Sequence, residues 1–354
     1  MNQGEVQMIR SAPGIVISLL IVAFAVPTAQ AATLGKASAK KPAHKKSSSA
    51  LRNVHRASAA HNTHRTGRLR VAYTPVVPVT PPVLSAGDMA GLNAMRDPLA
   101  LKSNVALVID QNTSQVLFEK NAGIPLPIAS LTKLMTAMVV LGAHQDMDEV
   151  LEVTADDIDR ERSSSSRLRV GSRLTRANML HIALMSSENR AASALGRNYP
   201  GGLPAFVAAM NAKANALAMF DTHYVEPTGL SSHNVASAHD LVKLVMAAYQ
   251  QPIIREYSTD STYTVKPGGY QLQYMSSNRL VRNAGWDIGL QKTGFINEAG
   301  HCLVMQARIE NRPVIMVFLD SKGKYSRFAD ADRVRKWVEV GKPQMLTQAT
   351  MPRS

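Results

Sequence analysis

The stretch that decides the fold is residues 127–136, which read Pro127-Ile128-Ala129-Ser130-Leu131-Thr132-Lys133-Leu134-Met135-Thr136. Apolar residues recur from here at spacings of three and four, as Leu131, Leu134, Met138 and Leu141. This spacing predicts a helix with one buried face. Positions three apart share a helix face, so Lys133 can reach the hydroxyl of Ser130.

The pairing of Ser130 with Lys133 suggests nucleophilic chemistry. A serine hydroxyl is a poor nucleophile unless a base takes its proton, and a lysine desolvated by an apolar helix can have a lowered pKa and act as that base. The same spacing occurs at Ser38/Lys41 and Ser321/Lys324, but only Ser130 begins an apolar helix.

Two further short motifs follow along the chain. Ser187-Glu188-Asn189 comes after a predicted helix and offers a hydroxyl and an amide two residues apart. Lys292-Thr293-Gly294 comes after a strand-like run and offers a cation and a hydroxyl suited to a carboxylate, while the glycine allows close approach of a substrate backbone. The three motifs, in this order, match the set found in penicillin-recognising serine enzymes.

The wider sequence resembles the low-molecular-mass penicillin-binding proteins, the D-alanyl-D-alanine carboxypeptidase/endopeptidase family. Besides 127–136, the similar stretches are residues 210–214, 221–224, 227–230 and 292–303, and the resemblance covers roughly residues 100–340. It implies an α+β, transpeptidase-like fold, with an antiparallel sheet flanked by helices and a helical subdomain.

The resemblance also implies roles for individual residues. The expected catalytic residues are Ser130, Lys133 and Ser187, and the expected substrate-binding residues are Asn189, Lys292, Thr293, Gly294 and Phe295. The backbone N–H groups of Ser130 and Phe295 would form the oxyanion hole. No cofactor and no metal is expected.

The implied activity is hydrolysis of D-alanyl peptide bonds in peptidoglycan, with β-lactams as covalent inhibitors. The middle motif has Glu188 where the commoner family motif has glycine, which favours a DD-endopeptidase that cleaves cross-links. The end of the chain soon after the catalytic region favours the same subgroup. The alternatives are a D-Ala-D-Ala carboxypeptidase, a class A-like β-lactamase, and a non-catalytic wall-binding or penicillin-sensing module. The sequence disfavours the β-lactamase. Glu226 resembles the deacylating glutamate of those enzymes, but Leu230 stands where they have asparagine.

Composition excludes several other classes. The 354 residues carry a net charge of +14, but ten basic side chains and no acid lie in residues 32–85, so the rest is nearly balanced. A basic excess outside folded structure does not indicate a nucleic-acid-binding domain. A single cysteine, Cys302, excludes an intramolecular disulfide framework, and adjacent residues on a strand point to opposite faces, so Cys302 and His301 are not expected to form a dyad.

The chain divides into four predicted segments. Residues 1–31 resemble a signal peptide, with Arg10, an apolar run and a small-residue site ending at Ala31, which predicts export to the periplasm. Residues 32–85 are predicted to be a disordered basic and then Pro-rich linker, which could bind anionic envelope polymers. Residues 86–345 form the predicted catalytic domain, and 346–354 a tail.

Patterning within the catalytic segment predicts strands at both ends and helices between them. The expected strands are 104–110, 115–120, 287–293, 302–309 and 314–319, with a turn around Gly294. The expected helices, apart from the one at Ser130, are 176–185, 203–218, 238–250 and 328–340. One sheet assembled from the two distant ends is therefore predicted.

Overall fold

The computed structural model describes residues 83–341. The signal-like segment, nearly all of the basic linker and the C-terminal tail lie outside these residues. Among the described helices, none combines the length and the apolar composition that crossing a membrane requires.

The described residues form eleven strands and eight α-helices. The strands are β1 Ser103–Asp110, β2 Val116–Lys120, β3 Leu126–Pro127, β4 Val150–Glu152, β5 Arg173–Thr175, β6 Val235–Ala236, β7 Thr262–Val265, β8 Leu272–Met275, β9 Asp287–Ile296, β10 Gly300–Ile309 and β11 Arg312–Ser321. The helices are α1 Ala86–Met89, α2 Thr132–Gly142, α3 Arg176–Met185, α4 Asn189–Arg197, α5 Gly202–Ala216, α6 Ala238–Tyr249, α7 Pro252–Thr259 and α8 Ser326–Val340.

The central sheet is antiparallel and joins the two ends of the described chain. Its strand order is β2-β1-β11-β10-β9, so the N-terminal hairpin pairs with the three C-terminal strands. Alternate residues of β1 face opposite sides: Val105 and Leu107 belong to one buried cluster, and Ala106 and Val108 to the other. The sheet is therefore covered on both faces, and the predicted α+β architecture is confirmed.

Helices pack on both faces of the sheet. On one face α8 packs against β10 and β11, with Phe328 and Val334 buried. On the other face α6 packs against the sheet, and α2 lies among α3, α4, α5 and α6. Residues Thr132 to Val140 of α2 are all buried, so this helix is held rigidly along its length.

Three features differ from the sequence-based expectation. The turn expected around Gly294 is wrong, because β9 continues to Ile296 and Gly294 pairs with Cys302 inside the ladder. A glycine can keep its backbone hydrogen bonds in a strand, and here it serves close packing instead of a turn. Helices α4 and α7 were not predicted, since each is nine residues or fewer.

Candidate active site

Ser130 lies in a tight turn that leads directly into α2. The turn is a 3₁₀ segment, Ala129–Leu131, and the α-helix begins at Thr132. Ala129 adopts a left-handed backbone conformation (φ 47°), and its carbonyl accepts a hydrogen bond of 2.8 Å from the Thr132 hydroxyl. Backbone strain is therefore present at the entry to the helix, where Ser130 is half-buried, while residues 132–140 behind it are buried.

Lys133 lies at the centre of a three-acceptor cluster. Its Nζ lies 2.9 Å from Ser130 Oγ, 2.8 Å from Asn189 Oδ1 and 2.5 Å from the carbonyl oxygen of Thr228. The side chain is completely buried. Burial lowers the pKa of Lys133 to about 8, against the opposing effect of the Glu226 and Glu188 carboxylates.

The identity of the three acceptors determines which proton Lys133 can exchange. The amide oxygen of Asn189 and the carbonyl of Thr228 can only accept hydrogen bonds, so each must keep a donor on Nζ. Only the hydroxyl of Ser130 can reverse its role and donate. When Lys133 is neutral, its lone pair is therefore directed at Ser130, which is the arrangement of a base with its nucleophile.

The second motif forms a sharp corner between α3 and α4. Ser187 has a left-handed backbone (φ 66°), and Asn189 is the first residue of α4, not part of an extended turn. The Asn189 side chain bridges the site, because its Nδ2 also donates to Ser164 Oγ at 3.1 Å. Within residues 83–341 the Ser187 hydroxyl has no hydrogen bond to Ser130 or Lys133, although Ser187 and Asn189 line the same cavity.

The third motif lies on β9, alongside the turn that holds Ser130. Lys292 is completely buried, its Nζ donates to the carbonyl of Thr293 at 2.9 Å, and burial lowers its pKa well below the usual value, reinforced by the positive charges of Lys133 and Arg327. A Cβ on Gly294 would lie 3.1 Å from the Ser130 backbone nitrogen, so this strand passes very close to the nucleophile.

Thr293 and Phe295, which follow Lys292 on β9, contact other parts of the fold. The Thr293 hydroxyl lies 2.7 Å from that of Ser277, whose backbone N–H donates to the carbonyl of Met185 at the end of α3. Phe295 is half-exposed and its ring stacks on His301 at 4.2 Å between centroids. The second and third motifs are therefore linked through Ser277, a residue that sequence reasoning gave no role.

The loop of residues 226–234 has a role at the site that the sequence did not reveal. In the sequence, Glu226 resembles a deacylating glutamate. Its carboxylate instead accepts hydrogen bonds from the backbone N–H of Thr228 (2.5 Å) and Gly229 (2.6 Å) and from the side chain of Asn234 (2.9 Å). These bonds fix the loop that supplies the Thr228 carbonyl to Lys133. The sequence signal that could have indicated this loop is Glu226 followed by Gly229 and Asn234.

Gly229 provides a sharp test of this packing. Its φ is +80°, and a Cβ there would lie 1.9 Å from the carbonyl oxygen of Ala129 and 2.7 Å from the Ser130 nitrogen. We expect Gly229→Ala to lower the free energy of unfolding by about 3 kcal/mol, and to impair activity by moving the nucleophile. Urea denaturation measures the first effect.

Gly171→Ala is the matched control for that substitution. Gly171 has nearly the same φ, +84°, but nothing lies within 4 Å of its added Cβ. Gly171→Ala should lower the free energy of unfolding only by the cost of backbone strain, about 1 kcal/mol, and should leave activity unchanged. Equal losses of stability in the two variants would contradict the close contact at Ala129.

The cysteine and histidine of β10 do not form a second reactive site. Cys302 is completely buried, its Sγ lies 3.3 Å from the carbonyl of Ala299, and burial raises its pKa to about 12. His301 points to Phe295, and burial lowers its pKa to about 4. In the described part of the chain, no group of three or more His, Cys, Asp or Glu side chains is arranged to hold a metal ion.

Comparisons with known proteins agree with this geometry. The family profile described as D-alanyl-D-alanine carboxypeptidase matches residues 92–323. A D-alanyl-D-alanine endopeptidase of Pseudomonas aeruginosa is 52% identical over 251 residues, 70% of this chain and 81% of the relative. A protein of the same name from Escherichia coli is 46% identical over 277 residues, 78% of this chain and 88% of the relative.

Two solved structures of related proteins are also similar to this chain, at lower sequence identity. Penicillin-Binding Protein D2 from Listeria monocytogenes, in its cefotaxime-bound form, is 28% identical, with a TM-score of 0.61 over 68% of this chain and 98% of that one. A variant of the Streptomyces K15 DD-transpeptidase is 26% identical, with a TM-score of 0.62 over 67% of this chain and 97% of that one.

Proposed function

The chain belongs to the D-alanyl-D-alanine carboxypeptidase family of serine peptidases, and we propose that it acts within that family as a DD-endopeptidase that cleaves peptidoglycan cross-links. The single observation that carries the catalytic assignment is the contact of a buried Lys133 amine, with its pKa lowered to about 8, to Ser130 at 2.9 Å. The endopeptidase assignment is supported by the names of the two relatives at 46% and 52% identity.

In the proposed acylation step, neutral Lys133 takes the proton of Ser130 as its oxygen attacks the carbonyl of the D-alanyl bond. The developing oxyanion is held by the backbone N–H groups of Ser130 and Phe295, and such donors contribute roughly 3–4 kcal/mol each in related enzymes. The close approach of β9 to the Ser130 nitrogen supports this pairing.

The leaving amine then needs a proton. Ser187 delivers it and regains a proton from Lys133, and Lys292 takes part from close by, where the positive charge of Lys133 contributes to lowering its pKa. Asn189 holds the acyl-side peptide, while Lys292 and Thr293 hold the carboxylate on the leaving side and Gly294 lets the substrate lie along β9. Water hydrolyses the acyl-enzyme. A β-lactam ring would acylate Ser130 by the same route, which makes β-lactams covalent inhibitors.

The alternatives differ in what the structure offers them. A carboxypeptidase uses the same machinery and is favoured by the family description. A class A-like β-lactamase would need a carboxylate to activate water, but Glu226 is engaged by the loop that it holds. A wall-binding module would not require the Lys133 cluster, and a penicillin sensor would use it for acylation by a β-lactam but would not turn over peptides. Export to the periplasm, and a linker that binds anionic envelope polymers, are proposals that rest on the sequence of residues 1–85.

Product analysis distinguishes these activities. The purified protein is incubated with cross-linked dimeric muropeptides and, separately, with uncross-linked pentapeptides ending in D-Ala-D-Ala. We expect dimers to become monomers at a higher kcat/KM than pentapeptides lose their terminal alanine. Release of terminal alanine alone would refute the endopeptidase proposal, and a lasting β-lactam adduct without any turnover would support a sensor.

A further inference from the structure

A cavity of about 400 Å³ opens beside the second motif. Ser187 and Asn189 line its inner end, and Arg167 and residues 273–275 of β8 line its outer end. The proposed mechanism uses the inner residues only. The outer end is built by two segments far apart in sequence, the loop of residues 159–172 and the hairpin β7–β8.

Arg167 is exposed but held in one position. Its guanidinium lies over the ring of Tyr274, 4.9 Å from the centroid, and one N–H donates to the carbonyl of Gln273 at 2.6 Å. No other acceptor for this guanidinium occurs between residues 83 and 341, so most of its five N–H donors remain for a ligand. A cation fixed beforehand loses little conformational entropy on binding.

Tyr274 also contacts the one carboxylate among the residues that line this cavity, that of Glu188. Its hydroxyl donates to Glu188 Oε2 at 3.2 Å, and Ser166 donates to Glu188 Oε1 at 2.6 Å. Glu188 is buried and both its oxygens are bonded, whereas Arg167 is exposed. The charged group that the outer end presents to solvent is therefore positive, and it fits an anionic group on the substrate.

The position of the cavity indicates which part of the substrate enters it. Asn189 joins the cavity to the Lys133 cluster and, in the proposed function, holds the acyl-side peptide. Ser187, which protonates the leaving amine, lies at the inner end between the two sides, whereas Lys292 and Thr293, which hold the leaving-side carboxylate, do not line the cavity. The outer end, beyond Asn189, is therefore assigned to the acyl side.

We propose that Arg167 is a specificity-determining residue that binds a carboxylate on the side chain preceding the acylated D-alanine. This inference rests on the proposed function and names the kind of peptide that the enzyme prefers. A substrate whose acyl-side diamino acid ends in a free carboxylate is favoured over one whose corresponding group is an amide.

The test uses two cross-linked dimers that differ only at this group, with diaminopimelate or its primary amide as the acyl-side diamino acid. We expect wild type to cleave the acid with about tenfold higher kcat/KM, the effect of one charge-assisted hydrogen bond. Arg167→Gln should reduce cleavage of the acid to the rate of the amide and leave the amide unchanged. Its thermal unfolding midpoint should fall only slightly, as for Arg169→Gln below, because an exposed side chain with one ring contact and one hydrogen bond contributes little to stability.

Arg169→Gln is the matched control. Arg169 lies over Tyr270 of the same hairpin in a similar way, 5.5 Å from the centroid, but does not line the cavity. It should keep the preference for the acid. Equal cleavage of both dimers by wild type, or a preference that survives Arg167→Gln, would overturn the inference and leave the endopeptidase proposal standing. Cleavage of neither dimer would refute both.

Discussion

Replacing Ser130 by alanine is expected to abolish cleavage of cross-linked peptides, with kcat/KM falling by about 10⁴-fold or more. Without the hydroxyl no acyl-enzyme can form, and no neighbouring group can replace it, since Asn189 and Thr228 offer Lys133 only acceptors. The fold should persist, because Lys133 keeps two of its three partners. Steady-state kinetics on dimeric muropeptides measures the loss.

Intact mass after incubation with benzylpenicillin gives an independent measurement. Wild type should gain the mass of one penicilloyl group, and Ser130→Ala should gain none. Ser321→Ala is the matched control, because Ser321 stands three residues before Lys324 in the same spacing but lies buried on β11, where it pairs with Ser103. It should acylate like wild type. An adduct that persists in Ser130→Ala would refute the assignment of the nucleophile.

The parts of the fold that could be predicted are those where burial imposes a period on the sequence. Strand β1 alternates between two buried clusters, and α2 repeats apolar residues every three or four positions. Helix α2 carries Lys133 and follows directly on the turn that holds Ser130, and β1 belongs to the sheet that contains β9. The other two motifs, Ser187-Glu188-Asn189 and Lys292-Thr293-Gly294, were predicted to join the site because they follow Ser130 in the order typical of the family.

The parts that could not be predicted depend on backbone groups and loops. The Thr228 carbonyl lies 95 residues from Lys133 in sequence, and every residue has a carbonyl, so no side-chain pattern marks it. Gly294 suggested a turn because glycine favours turns, yet here its missing side chain admits the neighbouring Ser130 backbone. Such contacts become visible only when distant segments are brought together.

The pKa of Lys133 predicts the pH dependence of acylation. The base must be neutral, and burial lowers the pKa of Lys133 to about 8 from its usual 10.5. Below that value the neutral fraction falls tenfold per pH unit, so the second-order acylation rate by a β-lactam at pH 6 should be about a hundredfold below its plateau. The rate should rise with pH and level off above about 8. A rate that is constant from pH 6 to 8 would contradict Lys133 as the base.

Replacing Lys133 by methionine should remove both the rate and its pH dependence. Methionine fills much of the buried space but cannot take a proton, so acylation of Ser130 should slow by about 10³-fold, within the range for loss of a general base. A lysine that only supported the structure would change stability and leave the rise toward pH 8 in place. The buried acceptors Asn189 Oδ1 and Thr228 O also lose their donor, so the unfolding free energy should fall. The remaining slow acylation, followed from pH 6 to 9, should therefore no longer rise toward a plateau near 8, because the group whose deprotonation produced that rise is gone.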